Sequence, residues 1–159
     1  MKDIAEQAVA LFKNLGKTFG FAESLTGGMI SSEIVGIPGA SEVFAGSVVS
    51  YTNDVKVNVL GVPASVIEAE TEVSSECAAA MAEGLCKVIG CDYSVAVTGI
   101  AGPSGELPGK PVGTVYFGFC GGGRNGSFRR VFSGNRNDVR VKTCDCALET
   151  LILLAEGKL

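Results

Sequence analysis

Residues 18–51 carry the arrangement that constrains the fold most. A short apolar run over Thr18–Ala22 is followed by Thr26-Gly27-Gly28 and a helical stretch to about Val35. The breaker Gly36-Ile37-Pro38-Gly39 then leads into a second buried run from Phe44 to Tyr51. Strand, helix and strand at this spacing form a βαβ unit, whose two strands are expected to be parallel because the crossover helix returns the chain to the same end of the sheet.

The flanking segments extend the pattern. Ile4, Ala8, Leu11, Phe12 and Leu15 recur at helical spacing and stop at Gly16, predicting an amphipathic helix over 3–15. Ser74–Ile89 is alanine-rich, opens on Ser-Ser-Glu and ends at Gly90, so it reads as a helix feeding a strand over Tyr93–Thr98. A turn-rich loop, Gly99–Pro111, comes next. The β-type runs Val112–Cys120 and Phe128–Phe132, joined through the glycine-rich residues 121–126, predict an antiparallel hairpin, and residues 136–155 a closing helix. The sum is a three-layer α/β/α sandwich, and 159 residues fit one domain, 1–159. Apolar residues make up 47% and charged residues only 19%, below the roughly 25% of ordinary chains, so a large buried core is expected.

Composition removes several kinds of chemistry. The chain has no histidine, which excludes Ser-His-Asp triads, Cys-His dyads and zinc sites that need an imidazole. Any reaction must run on hydroxyls, lysine, arginine, carboxylates or thiols. The formal charge is −4 and the basic residues are scattered apart from those between Arg124 and Lys142, which argues against a general nucleic-acid binder. No segment approaches the roughly 18 uninterrupted apolar residues of a membrane span, and the start lacks an apolar signal core, so no membrane association and a cytoplasmic location are expected. None of the six cysteines pairs at C-x-x-C spacing, and they read as small hydrophobes rather than as metal ligands or a redox motif.

In open sheets of this type ligands bind beyond the carboxyl ends of the parallel strands. Three such ends carry Glu23-Ser24-Leu25-Thr26-Gly27-Gly28, Ser50-Tyr51-Thr52-Asn53 and Thr98-Gly99-Ile100-Ala101-Gly102-Pro103, all rich in hydroxyls and glycine. Ser24 suits a helix cap, and it equally suits a nucleophile with backbone N–H groups beside it. Lys56 is an ordinary surface charge unless burial lowers its pKa, in which case it supplies the base that histidine does not. Tyr51 is either a strand-end aromatic with a wet hydroxyl or a group that orients the lysine. Arg136 and Arg140 stand at i and i+4 in the first turns of the last helix, where like charges repel and the dipole disfavours cations; an anionic ligand or Asp138 would offset that cost. Lys110 is a further candidate cation. Residues 98–105 are not a phosphate-binding P-loop, because no Gly-Lys-Ser/Thr ends them and Pro103 lacks an amide donor.

Taken together, Ala22-Glu23-Ser24-Leu25-Thr26-Gly27-Gly28, Gly46-Ser47-Val48-Val49-Ser50-Tyr51 with Lys56, Thr98-Gly99-Ile100-Ala101-Gly102-Pro103 and Lys110-Pro111-Val112-Gly113-Thr114-Val115 resemble the CinA C-terminal domain family, whose enzymatic members are nicotinamide-nucleotide amidases. The resemblance runs from about residue 3 to residue 155. It implies hydrolysis of the carboxamide of nicotinamide mononucleotide to nicotinic acid mononucleotide and ammonia, with no metal or organic cofactor. It further implies Ser24 as nucleophile, Lys56 as general base and later acid, and Tyr51 as a supporting hydroxyl. Thr98 and Gly99 would line the substrate pocket, Arg136 or Arg140 would meet the substrate's charge, and Ser41 matches another polar family position. The implied sheet is five-stranded and mixed, in order 2-1-3-4-5 with strand 4 antiparallel, and the implied assembly a homodimer. Full-length relatives carry a nucleotide-hydrolysing N-terminal domain whose activity is expected to be absent here. Two departures stand out: Gly134-Asn135-Arg136 replaces the family's usual Gly-Asp-Arg, and residues 121–126 are unusually rich in glycine.

The expected mechanism is that of a Ser/Lys amidohydrolase. Neutral Lys56 takes the Ser24 proton, the alkoxide attacks the carboxamide, and backbone amides of Thr26, Gly27 and Gly28 stabilise the oxyanion. The alternatives are a catalytically silent module that binds a nucleotide or a partner chain, and an amidase for another small amide.

Overall fold

The computed structural model describes residues 1–159. In chain order its elements are α1 (Lys2–Leu15), β1 (Phe19–Glu23), α2 (Met29–Val35), β2 (Phe44–Val49), α3 (Asn53–Asn58), α4 (Ala64–Glu70), α5 (Ser75–Ile89), β3 (Tyr93–Gly99), β4 (Thr114–Gly121), β5 (Arg124–Val131) and α6 (Arg136–Ala155). The sheet order is β2-β1-β3-β4-β5. β1 runs parallel to both β2 and β3, while β4 is antiparallel to β3 and to β5. This is the mixed sheet, with strand 4 reversed, that the sequence resemblance implied.

Alternation along the strands sets the two faces apart. Phe19, Phe21, Val95, Val97, Val115 and Phe117 point to one side, where α1, α2 and α6 cover them with Phe12, Ile30, Ile34, Leu148 and Leu151. The opposite face carries small residues, Gly20, Ala22, Ser94, Ala96 and Gly118, and this lets α5 approach the sheet closely through Cys77, Met81, Ala82 and Leu85. A Cβ on Gly118 would lie 1.9 Å from the Ala78 carbonyl oxygen, and one on Gly20 would lie 2.5 Å from Ile89 Cδ1. The small-residue stripe is therefore a condition of the packing on that side.

Three boundaries differ from the sequence reading. β2 ends at Val49, so Tyr51 lies beyond the strand, and the short helices α3 and α4 follow where no element was predicted. β5 begins at Arg124 rather than Phe128, because Gly122 and Gly123 (φ 60° and 77°) form a two-residue hairpin turn that needs positive φ at both positions. β4 starts at Thr114 rather than Val112. No helix is long and apolar enough to cross a membrane.

Replacing Gly118 by alanine should destabilise the fold by about 1–3 kcal/mol, because the colliding atom is helix backbone and cannot rotate away. A denaturant midpoint unchanged from wild type would show that α5 can lift off the sheet without cost.

Candidate active site

The site is built by extending the strand ladders past their ends. The Ser24 N–H donates to the Val97 carbonyl at 3.1 Å, and the Ser50 N–H donates to the Glu23 carbonyl at 2.8 Å. Parallel pairing on both edges of β1 thus fixes Ser24 and Ser50 side by side at the carboxyl end of the sheet. The chain then turns into α3, where the Thr52 hydroxyl caps the Val55 N–H and sends Lys56 back over the gap.

Lys56 is only 1% exposed although it is a lysine. Its Nζ donates to Ser50 O at 2.8 Å and to Ser24 Oγ at 3.2 Å, and no carboxylate lies within ion-pair distance. Burial pushes the Lys56 pKa below the ordinary lysine range, an effect partly offset by nearby Cys77 and Glu72. A hydroxyl in hydrogen-bond contact with an amine disposed to lose its charge is the geometry of a nucleophile and its base.

The loop after Ser24 is held from behind. The carboxylate of Glu23, fully buried, accepts from the N–H groups of Gly28 (2.9 Å), Ile30 (3.2 Å) and Ser31 (2.9 Å), and from the Ser31 hydroxyl. It balances its charge against the start of α2 instead of a cation. This corrects the expected oxyanion donors. The Gly28 N–H is committed to Glu23 and the Gly27 N–H to Ser24 O at 3.1 Å, whereas the Leu25 and Thr26 N–H groups donate to no protein acceptor. The side-chain hydroxyls of Thr26 and Ser50 are buried without a hydrogen-bond partner.

A cleft of about 380 Å³ opens over the pair, lined among others by Ser24, Leu25, Lys56, Glu72, Thr98, Gly99 and Ala101, with Tyr51 and Arg136 at its side. Of the residues predicted for the site, Ser24, Lys56, Tyr51, Thr98, Gly99 and Arg136 come together here. The Thr98 hydroxyl donates to Glu72 O at 2.7 Å, so it shapes the wall rather than offering a free donor. Tyr51 is 60% exposed, and its hydroxyl accepts from Arg136 Nη2 at 3.4 Å; it does not orient Lys56.

Arg140, Lys110 and Ser41 lie outside the cleft. Arg140 Nε and Nη2 donate to the carbonyls of Leu25 (2.9 Å) and Thr26 (3.0 Å), bracing the Ser24 loop from α6. Lys110 Nζ donates to Glu70 O at 2.9 Å and Thr71 Oγ1 at 3.1 Å. It thereby holds a turn in which Thr71 has the unusual backbone angles φ 71°, ψ 168°, a conformation seldom adopted by side-chain-bearing residues. Ser41 sits in a short 3-10 turn before β2, in a separate surface depression. The replacement in Gly134-Asn135-Arg136 is absorbed locally. Asn135 Oδ1 accepts from the Asn137 and Asp138 N–H groups and Asp138 answers onto the Asn135 N–H, a complete capping box, and Arg136 Nη1 still reaches Gly102 O at 2.8 Å.

Sequence reasoning missed Glu72, the cleft's one carboxylate, and the Ser50 carbonyl that holds Lys56. Glu72 stands just before the Ser74 cap of α5, in a segment whose shape depends on the Thr71 turn and carries no local signal.

An α/β/α sandwich with a serine–lysine pair at the carboxyl end of its central parallel strand defines the class of protein. The chain matches the model of the CinA C-terminal domain over residues 1–154 and belongs to that family. It is 46% identical over 153 residues to a CinA-like protein of Thermotoga maritima, covering 96% of this chain and 37% of that protein. It is 43% identical over 148 residues to a CinA-like protein of Dictyoglomus thermophilum, covering 93% of this chain and 36% of that protein. The chain thus spans little more than a third of the curated relatives it matches. Among solved structures it is similar to a competence or damage-inducible protein of Enterobacter asburiae (TM-score 0.93, 28% identity, 97% of both chains). It is likewise similar to a competence/damage inducible protein of Agrobacterium tumefaciens (TM-score 0.90, 35% identity, 96% of this chain and 94% of that one).

The buried amine has a consequence for stability. A lowered native pKa means that the unfolded chain binds more protons than the native state between the lowered value and the ordinary 10.5, so stability rises with pH across that window. The penalty is fully present below the lowered value. A Lys56→Met variant should therefore show its greatest stability advantage over wild type below the lowered value, narrowing as the pH rises toward 10.5. Denaturant curves at a series of pH values measure this, and a constant difference would mean that Lys56 is not desolvated.

Proposed function

We propose that the chain is an amidohydrolase that converts nicotinamide mononucleotide to nicotinic acid mononucleotide and ammonia through Ser24 and Lys56. The observation that carries the reading is the buried Lys56 amine, 3.2 Å from Ser24 Oγ and without a carboxylate partner. Neutral Lys56 takes the Ser24 proton as the oxygen attacks the carboxamide carbon. The tetrahedral oxyanion faces the uncommitted amides of Leu25 and Thr26. Lys56 returns the proton to the departing ammonia, then deprotonates the water that resolves the ester.

The substrate assignment rests on the resemblance and on the distribution of charge around the cleft. A pyridinium nucleotide is cationic at the ring and anionic at the phosphate. Glu72 offers a carboxylate to the ring, and Arg136 at the side of the cleft offers a guanidinium to the phosphate. The ring's positive charge also favours the neutral form of a nearby lysine. A cytoplasmic homodimer that uses no metal or organic cofactor completes the reading.

A second reading, an amidase for another small amide, gains support from the commitment of Arg140 to loop carbonyls, which leaves Arg136 as the only cleft arginine. The Arg136→Ala variant separates the two. Under the nucleotide reading it raises KM for nicotinamide mononucleotide about tenfold or more while leaving any turnover of nicotinamide unchanged. Near-equal wild-type rates on nicotinamide and its mononucleotide would favour the other amidase.

Ammonia release from nicotinamide mononucleotide should fall about 10³-fold or more in Ser24→Ala and in Lys56→Ala. The wild-type rate should rise with pH as Lys56 loses its proton, with a midpoint below 10.5. Binding of the mononucleotide by calorimetry without any ammonia release would replace the enzyme reading with that of a silent binding module.

A further inference from the structure

At the far end of the sheet from Ser24 lies a group of thiols that the proposed reaction does not use. α5 is 15 residues long, about 22 Å, and it carries Ser75 near the cleft and Cys86 at the opposite end. Cys86 Sγ is 3.8 Å from Cys91 Sγ and 3.9 Å from the carbonyl oxygen of Cys120. Cys91 is buried, whereas Cys86 and Cys120 are partly exposed, and none is in a disulfide. A cleft of about 560 Å³ opens onto Cys86 and Cys120, and part of its lining is Gly121, Gly122 and Gly123. The glycine-rich hairpin turn thus lines the approach to the thiols without side chains of its own.

We propose that Cys86 and Cys91 form a peroxide-sensitive dithiol, in which Cys86 reacts with a hydroperoxide from the open cleft and Cys91 resolves the product as a disulfide. The Cys86 sulfur takes one peroxide oxygen as the O–O bond breaks, giving a sulfenic acid and, from hydrogen peroxide, one water. The Cys91 sulfur then attacks the sulfenic sulfur; the S–S bond forms, the S–O bond breaks and a second water leaves. Two thiols are oxidised and one peroxide is reduced, and a thiol reductant reverses the step.

The geometry assigns the roles. Cys86, partly exposed and lining the cleft, is the thiol the oxidant reaches, and the buried Cys91 is shielded until a partner forms beside it. The Cys91 S–H donates to Cys86 Sγ, which holds the Cys86 thiol below its ordinary pKa while Cys91 is pushed up. Of the charged groups lining the cleft, Lys87 is paired with Glu83, Asp92 with Lys17, and Arg124 Nη1 donates to Leu159 O at 2.7 Å, while the contact made directly on Cys86 Sγ is the Cys91 thiol. Cys120 is the competing partner, since its thiol as well as its carbonyl oxygen faces Cys86, but the thiol–thiol hydrogen bond of Cys86 is made with Cys91, at 3.8 Å.

The test is titration of the protein with hydrogen peroxide, followed by intact mass and peptide mapping under non-reducing conditions. Cleavage after Lys87 and before Asp92 places Cys86, Cys91 and Cys120 on separate peptides. The expected result is a loss of two hydrogen atoms, a Cys86–Cys91 link reversed by dithiothreitol, no link in Cys86→Ser, and an undiminished link in Cys120→Ser. Ammonia release, where present, should be unchanged by the link. A Cys86–Cys120 link, or oxygen added to Cys86 without any link, would falsify the proposal. Equal reactivity of Cys86 and Cys146, a partly exposed thiol with no thiol in hydrogen-bond contact, would also count against it. Denaturant midpoints of both serine variants establish that they are folded, so a missing link in Cys86→Ser reports chemistry.

Discussion

The pairing of β1 on both of its edges fixes everything at the Ser24 end of the molecule. One more rung on each side, beyond the strand proper, places Ser24 against Val97 and Ser50 against Glu23. A serine at the end of a lone strand would have a mobile loop behind it. Here the backbone on either side of Ser24 is already in a ladder, and Lys56 needs only one turn of α3 to arrive. A slip of one residue in the β1–β2 register would move the Ser50 carbonyl away from Lys56 Nζ and leave a buried amine without its shortest contact.

Two fully buried ionisable groups flank this arrangement, and the fold treats them in opposite ways. Glu23 is surrounded by four donors from the start of α2, which suit a carboxylate. Lys56 meets a carbonyl and a hydroxyl, both neutral, so its charge is opposed by burial and supported by no counter-ion. Glu23 thus serves to anchor the loop after Ser24, while Lys56 is left without a counter-ion. The split also determines which amides remain. By engaging the Gly28 N–H, Glu23 shifts the uncommitted donors toward Leu25 and Thr26, next to Ser24.

Much of this was legible in the sequence because it is local. The βαβ unit, the caps at Gly16, Ser74 and Gly90, and the hydroxyl-rich strand ends all announce themselves within a few residues. The motifs around Ser24 and Lys56 carried the pairing itself. The basic residues were harder, because charge pattern on a helix says nothing about what lies across from it. Arg140 reaches two carbonyls 115 and 114 residues away in the chain, and Lys110 reaches a turn 40 and 39 residues back. Both therefore read as candidate anion receptors and serve as braces. Glu72 was invisible because its position follows from Thr71, whose conformation no propensity scale would assign to threonine. The start of β5 was missed because its first residues, Arg124-Asn125-Gly126, have poor strand propensity and are held by the hairpin turn and by pairing with β4.

The lack of histidine gives this design its character. An imidazole is a usable base near neutrality whether or not it is buried, whereas a hydrated lysine is protonated and cannot accept a proton. Under the proposed reaction, the base strength needed at Ser24 has to come from the burial of Lys56 between Cys77 and the loop of Ser24. That ties reactivity to the interior more tightly than a histidine site would. Any change that lets water reach Nζ raises the Lys56 pKa back toward the ordinary lysine range without touching Ser24 or Lys56 itself. The braces supplied by Glu23, Arg140 and Lys110 acquire their importance here. They contact neither Ser24 Oγ nor Lys56 Nζ, yet they hold the loops around the cleft in which Lys56 is buried.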